Sequence, residues 1–201
     1  MPSRLTLILV LLLALTVVGL ALFWQPGSPG TSDEPTGGDF VLRSADGPVD
    51  TSAMRGKVLL IYFGYTYCPD ICPTTLAALS QTLNRLTPDE QAEVKTLFVS
   101  VDPARDTPQR LKDYVGFFQS SIIGVTGTPK EIARAARMYG AVYSRHDIPN
   151  DSNYVVDHSA WTYLVAPDGH LAGRLPYGAT PAQMLTEIRK WLPSSTKKGT
   201  S

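Results

Sequence analysis

The sequence predicts a mixed α/β domain carried behind an apolar N-terminal segment, and three observations predict it. A continuous apolar run at 57–63 has the length and strand-forming content of a strand buried on both faces, and 94–101 reads as a second buried strand. Thr-Pro pairs at 87, 107, 128 and 180 recur as helix starts do. Pro167-Asp168-Gly169-His170 separates two further apolar runs in the manner of a hairpin turn.

The N-terminal segment stands apart from that domain. Residues 5–23 are almost unbroken Leu, Ile, Val and Ala, interrupted only by Thr6, Thr16 and Gly19 before Phe23. At ~1.5 Å per residue the run makes roughly 28 Å of helix, close to a ~30 Å hydrocarbon core and longer than the apolar part of a signal peptide. Residues 1–24 are therefore expected to be a single-pass membrane anchor with an N-terminal transmembrane helix over 5–23 and Trp24 at the interface. Arg4 is the only basic residue before the run, which places the N-terminus in the cytoplasm and the remainder outside. Residues 25–38 are half proline and glycine with no large apolar side chain, the composition of a flexible linker. Residues 39–193 amount to one domain with core enough to dispense with disulfide staples, and 194–201 form a polar tail. The 18 basic and 18 acidic residues cancel, and nothing in their distribution points to nucleic acid.

Within the domain, the strand at 57–63 runs between Gly56 and Gly64 and leads straight into the cysteines. Beyond Pro73, Leu76, Leu79, Leu83 and Leu86 line one helical face. The strand at 94–101 follows, then a helix marked by Leu111, Tyr114, Val115 and Phe118. At each Thr-Pro the hydroxyl can accept an orphan backbone N–H, and proline suits the first helical position. Thr128 with Glu131 and Thr180 with Gln183 also have capping-box spacing. The helix after Thr128 reaches about Tyr139, and the last helix buries Met184, Leu185, Ile188 and Leu192. Between them, strands at 161–166 and 171–175 flank the hairpin turn. The order β-α-β-α, an extra helical stretch, then β-β-α is that of a thioredoxin-like domain, with the cysteines where the first strand meets its helix.

Cys68 and Cys72 are the only cysteines in the chain. With Cys68 just before the helix and Pro69 in its first turn, the two side chains share a face at a Cα separation of ~6 Å, which permits either a dithiol or a disulfide. The unpaired N–H groups of the helix start favour thiolate. A soft-metal site, a redox couple and a plain disulfide are all open to such a pair, though a bridge closing so short a loop removes little chain entropy. Three histidines are candidates for a third donor. His170 sits in the hairpin turn and His146 in the polar stretch 144–153, both positions that favour solvent. His158 stands in the loop before the strand at 161, and in thioredoxin-like folds that loop lies against the cysteine turn. Cys68, Cys72 and His158 together suit a soft or borderline ion, and copper fits better than zinc, which usually closes its structural sites with four protein ligands.

Three motifs in order, Tyr62-Phe63-Gly64-Tyr65-Thr66-Tyr67-Cys68-Pro69-Asp70-Ile71-Cys72-Pro73, Ser100-Val101-Asp102-Pro103-Ala104-Arg105-Asp106-Thr107-Pro108 and Tyr154-Val155-Val156-Asp157-His158-Ser159, resemble the Sco copper chaperone family, also called SenC. The resemblance spans nearly all of 39–193 and implies one copper ion, Cu(I) or Cu(II), held by Cys68, Cys72 and His158. It further implies a metallochaperone serving cytochrome c oxidase subunit II at its dinuclear copper site, with a periplasmic copper donor and a thiol reductant as further partners. The expected address is a bacterial inner membrane, with the domain on the periplasmic side. The alternative is a thiol-disulfide oxidoreductase that reduces the copper-ligand cysteines of the same subunit. A peroxiredoxin-like peroxidase fits less well, because Thr66 precedes Cys68 with one residue between them rather than two. Asp70, Asp102, Arg105 and Asp157 are candidates for supporting the site or meeting a partner, and turn and cap chemistry offers a plainer reading of the 102–108 motif.

Overall fold

The computed structural model describes residues 3–23, 35–147 and 154–193, in two compact units, Met1–Glu34 and Pro35–Ser201. The first contains one helix, α1 (Arg4–Phe23), whose described side chains over 7–20 are exposed all round and, Thr16 apart, apolar. Among the described residues no helix is long and apolar enough to cross a membrane. The expected span over 5–23 includes side chains at 5, 6 and 21–23 that lie outside the described residues, as do 24–34 of the expected anchor and linker and the expected tail 194–201.

The second unit comprises β1 (Val41–Ser44), β2 (Gly47–Asp50), β3 (Val58–Gly64), α2 (Ile71–Leu83), α3 (Pro88–Ala92), β4 (Val94–Ser100), α4 (Pro108–Phe118), β5 (Ile122–Val125), α5 (Pro129–Tyr139), β6 (Tyr143–Asp147), β7 (Tyr154–His158), β8 (Thr162–Val165), β9 (Leu171–Leu175) and α6 (Pro181–Trp191). The main sheet has the order β5-β4-β3-β8-β9. β3 runs parallel to β4 in a register from Val58 opposite Val94 to Gly64 opposite Ser100, and β8 pairs antiparallel on its other side. Every residue of β3 is buried, as a central strand covered on both faces requires. The C-terminal ends of β3 and β4 therefore lie side by side, and both cysteines follow directly from that edge.

The mixed, thioredoxin-like order is present, with additions and shifts that periodicity did not reveal. β5 extends the sheet in the stretch left unassigned between the helix marked by Phe118 and the one after Thr128, because four residues are too few for a period to show. β1 with β2, and β6 with β7, form separate two-stranded sheets built from mixed polar sequence. His158 thus closes a strand instead of sitting in a loop. α2 begins at Ile71, so Cys68 stands in the turn before it. α2 also ends at Leu83, which leaves Leu86 buried in the turn that leads to α3.

All four Thr-Pro sites start helices. Thr87, Thr107, Thr128 and Thr180 each accept from the backbone N–H three residues on, at 3.2–3.3 Å. The Thr87 cap is a full capping box with Glu90, and the Glu90 carboxylate also takes two hydrogen bonds from Arg189, clamping α3 to α6. Thr128→Ala removes one cap of the same kind and is expected to cost about 1 kcal/mol, a fall in Tm of about 2–4 °C for a domain of this size. A thermal melt followed by circular dichroism measures it.

Candidate metal centre

Gly64 ends β3 at the point of closest packing. A Cβ at this position would stand 2.7 Å from Cys72 Sγ and 2.8 Å from the ring of Phe98, so only glycine lets the strand end beneath the sulfur. The chain then turns, with the Cys68 N–H donating to the Tyr65 carbonyl at 3.3 Å. Both thiols are free, Cys68 8% exposed and Cys72 fully enclosed. Asp70, the residue before α2, makes no side-chain cap. The Cys68 sulfur takes that part, accepting the Cys72 N–H at 3.4 Å.

His158 closes the site from β7. Its Nε2 is 3.3 Å from Cys72 Sγ and its Nδ1 is 3.2 Å from the Ser159 carbonyl. With the proton on Nδ1 donated to that carbonyl, Nε2 is left with its lone pair facing the sulfurs. The rings of Tyr62 and Tyr65 stand edge-on to the imidazole at centroid distances of 6.0 and 5.8 Å. The ligand atoms of Cys68, Cys72 and His158 all lie within 4.8 Å of one another, a group able to hold a metal ion. Two sulfurs and an imidazole in largely apolar surroundings are a soft donor set, which suits copper and leaves a closed four-ligand zinc site one donor short. A cleft of about 450 Å³, walled by Tyr65, Pro69, Ile71 and Val156, opens onto Cys68 and His158.

The two thiols differ electrically. Cys68 is lowered to about 4, first by its hydrogen bond with the Cys72 thiol, then by His158 and the backbone N–H groups of Cys72 and Asp70. Cys72 is raised, first by burial, then by its hydrogen bond with Cys68 and by the negative charge there. The metal-free reduced pair is accordingly one thiolate and one thiol at neutral pH. Iodoacetamide is expected to modify Cys68 readily at pH 6, where an ordinary thiol is only about 0.1–1% ionised, and to leave Cys72 largely unmodified. Peptide mapping of the alkylated protein across pH 4–9 checks this.

The other expected residues fall in different places. Asp70 is exposed on the cleft wall, 3.5 Å from the Thr74 hydroxyl. Asp102 is buried and paired with Arg105 at 2.5 Å, and their contacts run to Tyr154. Asp157 does not orient His158. Alternation along β7 turns it to the opposite face, where it pairs with His146 Nε2 at 2.9 Å. That pairing also occupies His146, and His170 is exposed and bonded to Asp168 at 2.5 Å. Sequence reasoning missed Gly64, Tyr62 and Tyr65, which shape the walls of the site. The Gly64 signal was present, as a glycine directly after a fully apolar strand marks close backbone approach.

The SCO1/SenC family model matches residues 28–193. The chain belongs to the SCO1/SenC family. Among SCO1/SenC structures, copper-bound ScoI of Bradyrhizobium japonicum is similar at 35% identity and a TM-score of 0.72, over 78% of this chain and 99% of that one. Copper-bound yeast Sco1 is similar at 32% identity and a TM-score of 0.70, over 83% and 95%. The mitochondrial protein SCO2 of Saccharomyces cerevisiae is 35% identical over 164 residues, covering 81% of this chain and 54% of its own length. The chain spans about half the length of the first SCO1/SenC relatives it matches.

Proposed function

We propose that the protein is a membrane-anchored copper metallochaperone, binding one copper ion through Cys68, Cys72 and His158 and delivering it to the dinuclear copper site of cytochrome c oxidase subunit II. The observation that carries the reading is the convergence of those three ligand atoms within 4.8 Å at the mouth of an open cleft. Copper here is cargo. Three protein donors with an open side allow an incoming partner ligand to bind before the resident ones let go, which a closed cage resists. Loading requires both thiols reduced, so a thiol reductant and a periplasmic copper donor complete the set of partners. The apolar run over 5–23 supports anchoring in a bacterial inner membrane, and Arg4 supports a periplasmic domain.

Anaerobic titration of reduced protein with Cu(I) is expected to show one tight equivalent. In the Cu(II) form, the thiolate charge-transfer absorption and the imidazole nitrogen couplings in EPR are expected together, and His158→Ala is expected to remove the latter. One-to-one binding that is indifferent to Cys68→Ala and His158→Ala would sink the assignment.

The depressed Cys68 thiol beside a buried thiol favours a second reading, reduction of a disulfide between the subunit's copper-ligand cysteines. Cys68 thiolate would attack one partner sulfur, releasing the other as thiolate. Cys72 would then resolve the mixed disulfide, so that one disulfide is reduced as Cys68–Cys72 forms. Fast single-turnover reduction of a partner disulfide by metal-free protein, lost in Cys68→Ala, separates this activity from copper carriage.

A further inference from the structure

The 102–108 motif joining β4 to α4 supplies none of the three ligands, yet it holds both sides of the metal centre. On one side the Asp106 carboxylate, 1% exposed, accepts the Thr66 N–H at 3.0 Å, the Thr66 hydroxyl at 2.6 Å and the Ser100 hydroxyl at 2.6 Å. Thr66 lies in the turn that delivers Cys68. On the other side Arg105 donates Nε to Asp102 at 2.5 Å and Nη1 to the Tyr154 carbonyl at 3.0 Å, with its guanidinium 3.5 Å from the centroid of the Tyr154 ring. The Tyr154 hydroxyl closes the circuit by donating to Asp102 at 2.6 Å. Tyr154 begins β7 and His158 ends it. Midway along, the Val156 N–H donates to the Tyr65 hydroxyl at 3.3 Å.

Turn and cap chemistry does not account for this pattern. The cap is made by Thr107, and a turn has no need of two enclosed carboxylates, which are costly unless fully partnered. Besides the nearby Ser100 and Arg105, each has a partner far along the chain, 40 positions away for Asp106 and 52 for Asp102, one in each half of the site. The β7 arm needs such a hold, because among the described residues β7 pairs only with β6, in a sheet separate from the main one, and a two-stranded ribbon is marginal by itself.

We propose that the 102–108 segment is a clasp, in which Asp106 positions the cysteine turn and the Asp102–Arg105 pair positions the β7 arm so that His158 meets Cys68 and Cys72. Asp102, Arg105, Asp106 and Tyr154 are positioning residues. The inference rests on the assignment of those three residues as the copper ligands, and its test separates the two.

Hydrogen exchange is measured by mass spectrometry on the full chain, reduced and metal-free. Arg105→Ala and Tyr154→Phe are expected to speed exchange in the peptide over β7 by about tenfold or more, and Tyr154→Phe, which spares the Arg105 guanidinium over the Tyr67 ring, to leave the 64–69 peptide unchanged. Asp106→Asn is expected to do the reverse. Arg105→Lys keeps the charge without the planar fork, and is expected to match Arg105→Ala. With Cu(II) bound, the arm variants are expected to weaken the imidazole nitrogen couplings and retain the thiolate absorption, with affinity reduced roughly 10- to 100-fold, as for loss of a partner that orients a ligand. Tyr154→Phe removes only a hydroxyl and decides the matter should Arg105→Ala unfold. Unchanged β7 exchange in both arm variants overturns the clasp, as does a uniform rise that includes α5. Should β7 respond as expected in a protein that binds no copper at Cys68, Cys72 and His158, the clasp stands and the copper assignment falls.

Discussion

Cys72→Ala is expected to abolish tight copper binding in the anaerobic titration, a larger loss than the roughly 10- to 100-fold typical of removing an outer partner of a metal ligand. Cys72 is the fully enclosed donor, and its sulfur lies 3.3 Å from His158 Nε2. It also supplies the hydrogen bond that contributes most to lowering Cys68. The substitution therefore removes one soft ligand and makes the surviving thiol harder to ionise. Alanine at a helical position in the first turn of α2 keeps the backbone, including the N–H that reaches the Cys68 sulfur. The fold is expected to persist, and an unchanged near-ultraviolet circular dichroism spectrum distinguishes lost ligation from unfolding. His158→Ala leaves both thiols in place and is expected to weaken binding without abolishing it. Equal affinity in Cys72→Ala and the parent protein would contradict the three-ligand assignment.

Gly64→Ala is expected to damage stability and the site together. The added methyl would sit 2.7 Å from Cys72 Sγ and 2.8 Å from the Phe98 ring. Neither neighbour has room to withdraw, since both are fully enclosed and cores transmit strain instead of absorbing it. Overpacking of this kind costs about 1–3 kcal/mol, or several degrees in Tm at about 2–4 °C per kcal/mol. The methyl pushes directly on a ligand sulfur, so copper affinity is expected to fall well beyond what the stability loss explains. A thermal melt of the metal-free protein with a Cu(I) titration below its Tm separates the effects. Parent-like values in both would show that the end of β3 has slack that the packing does not reveal.

The strongest local signals were legible because they depend on short stretches. A fully apolar run has few uses besides a buried central strand, and β3 is that. Thr-Pro starts a helix through one hydroxyl and one fixed φ, and all four sites did so. β6 and β7 were not legible, since their mixed polar residues carry no clean alternation and the pairing of Tyr143 with His158 is a choice of register. The face on which Asp157 lies was not legible for a related reason, since the two-residue period of a strand sends it to the side opposite His158, where it pairs with His146.

Which donors exist is a property of the chain alone. It contains two cysteines and three histidines, a helix start whose N–H groups favour thiolate, and motifs specific enough to identify a family. Distances and partners belong to the tertiary structure. Only folding brings His158 Nε2 to 3.3 Å from Cys72 Sγ across 86 positions of chain, separates one thiolate from one thiol by burial, and shows that Asp102 and Asp106 reach in opposite directions. The physical reason is one of range. Propensity and capping act over a few residues and can be read in order, whereas ligation, burial and buried charge pairs depend on groups that approach only once the core has packed.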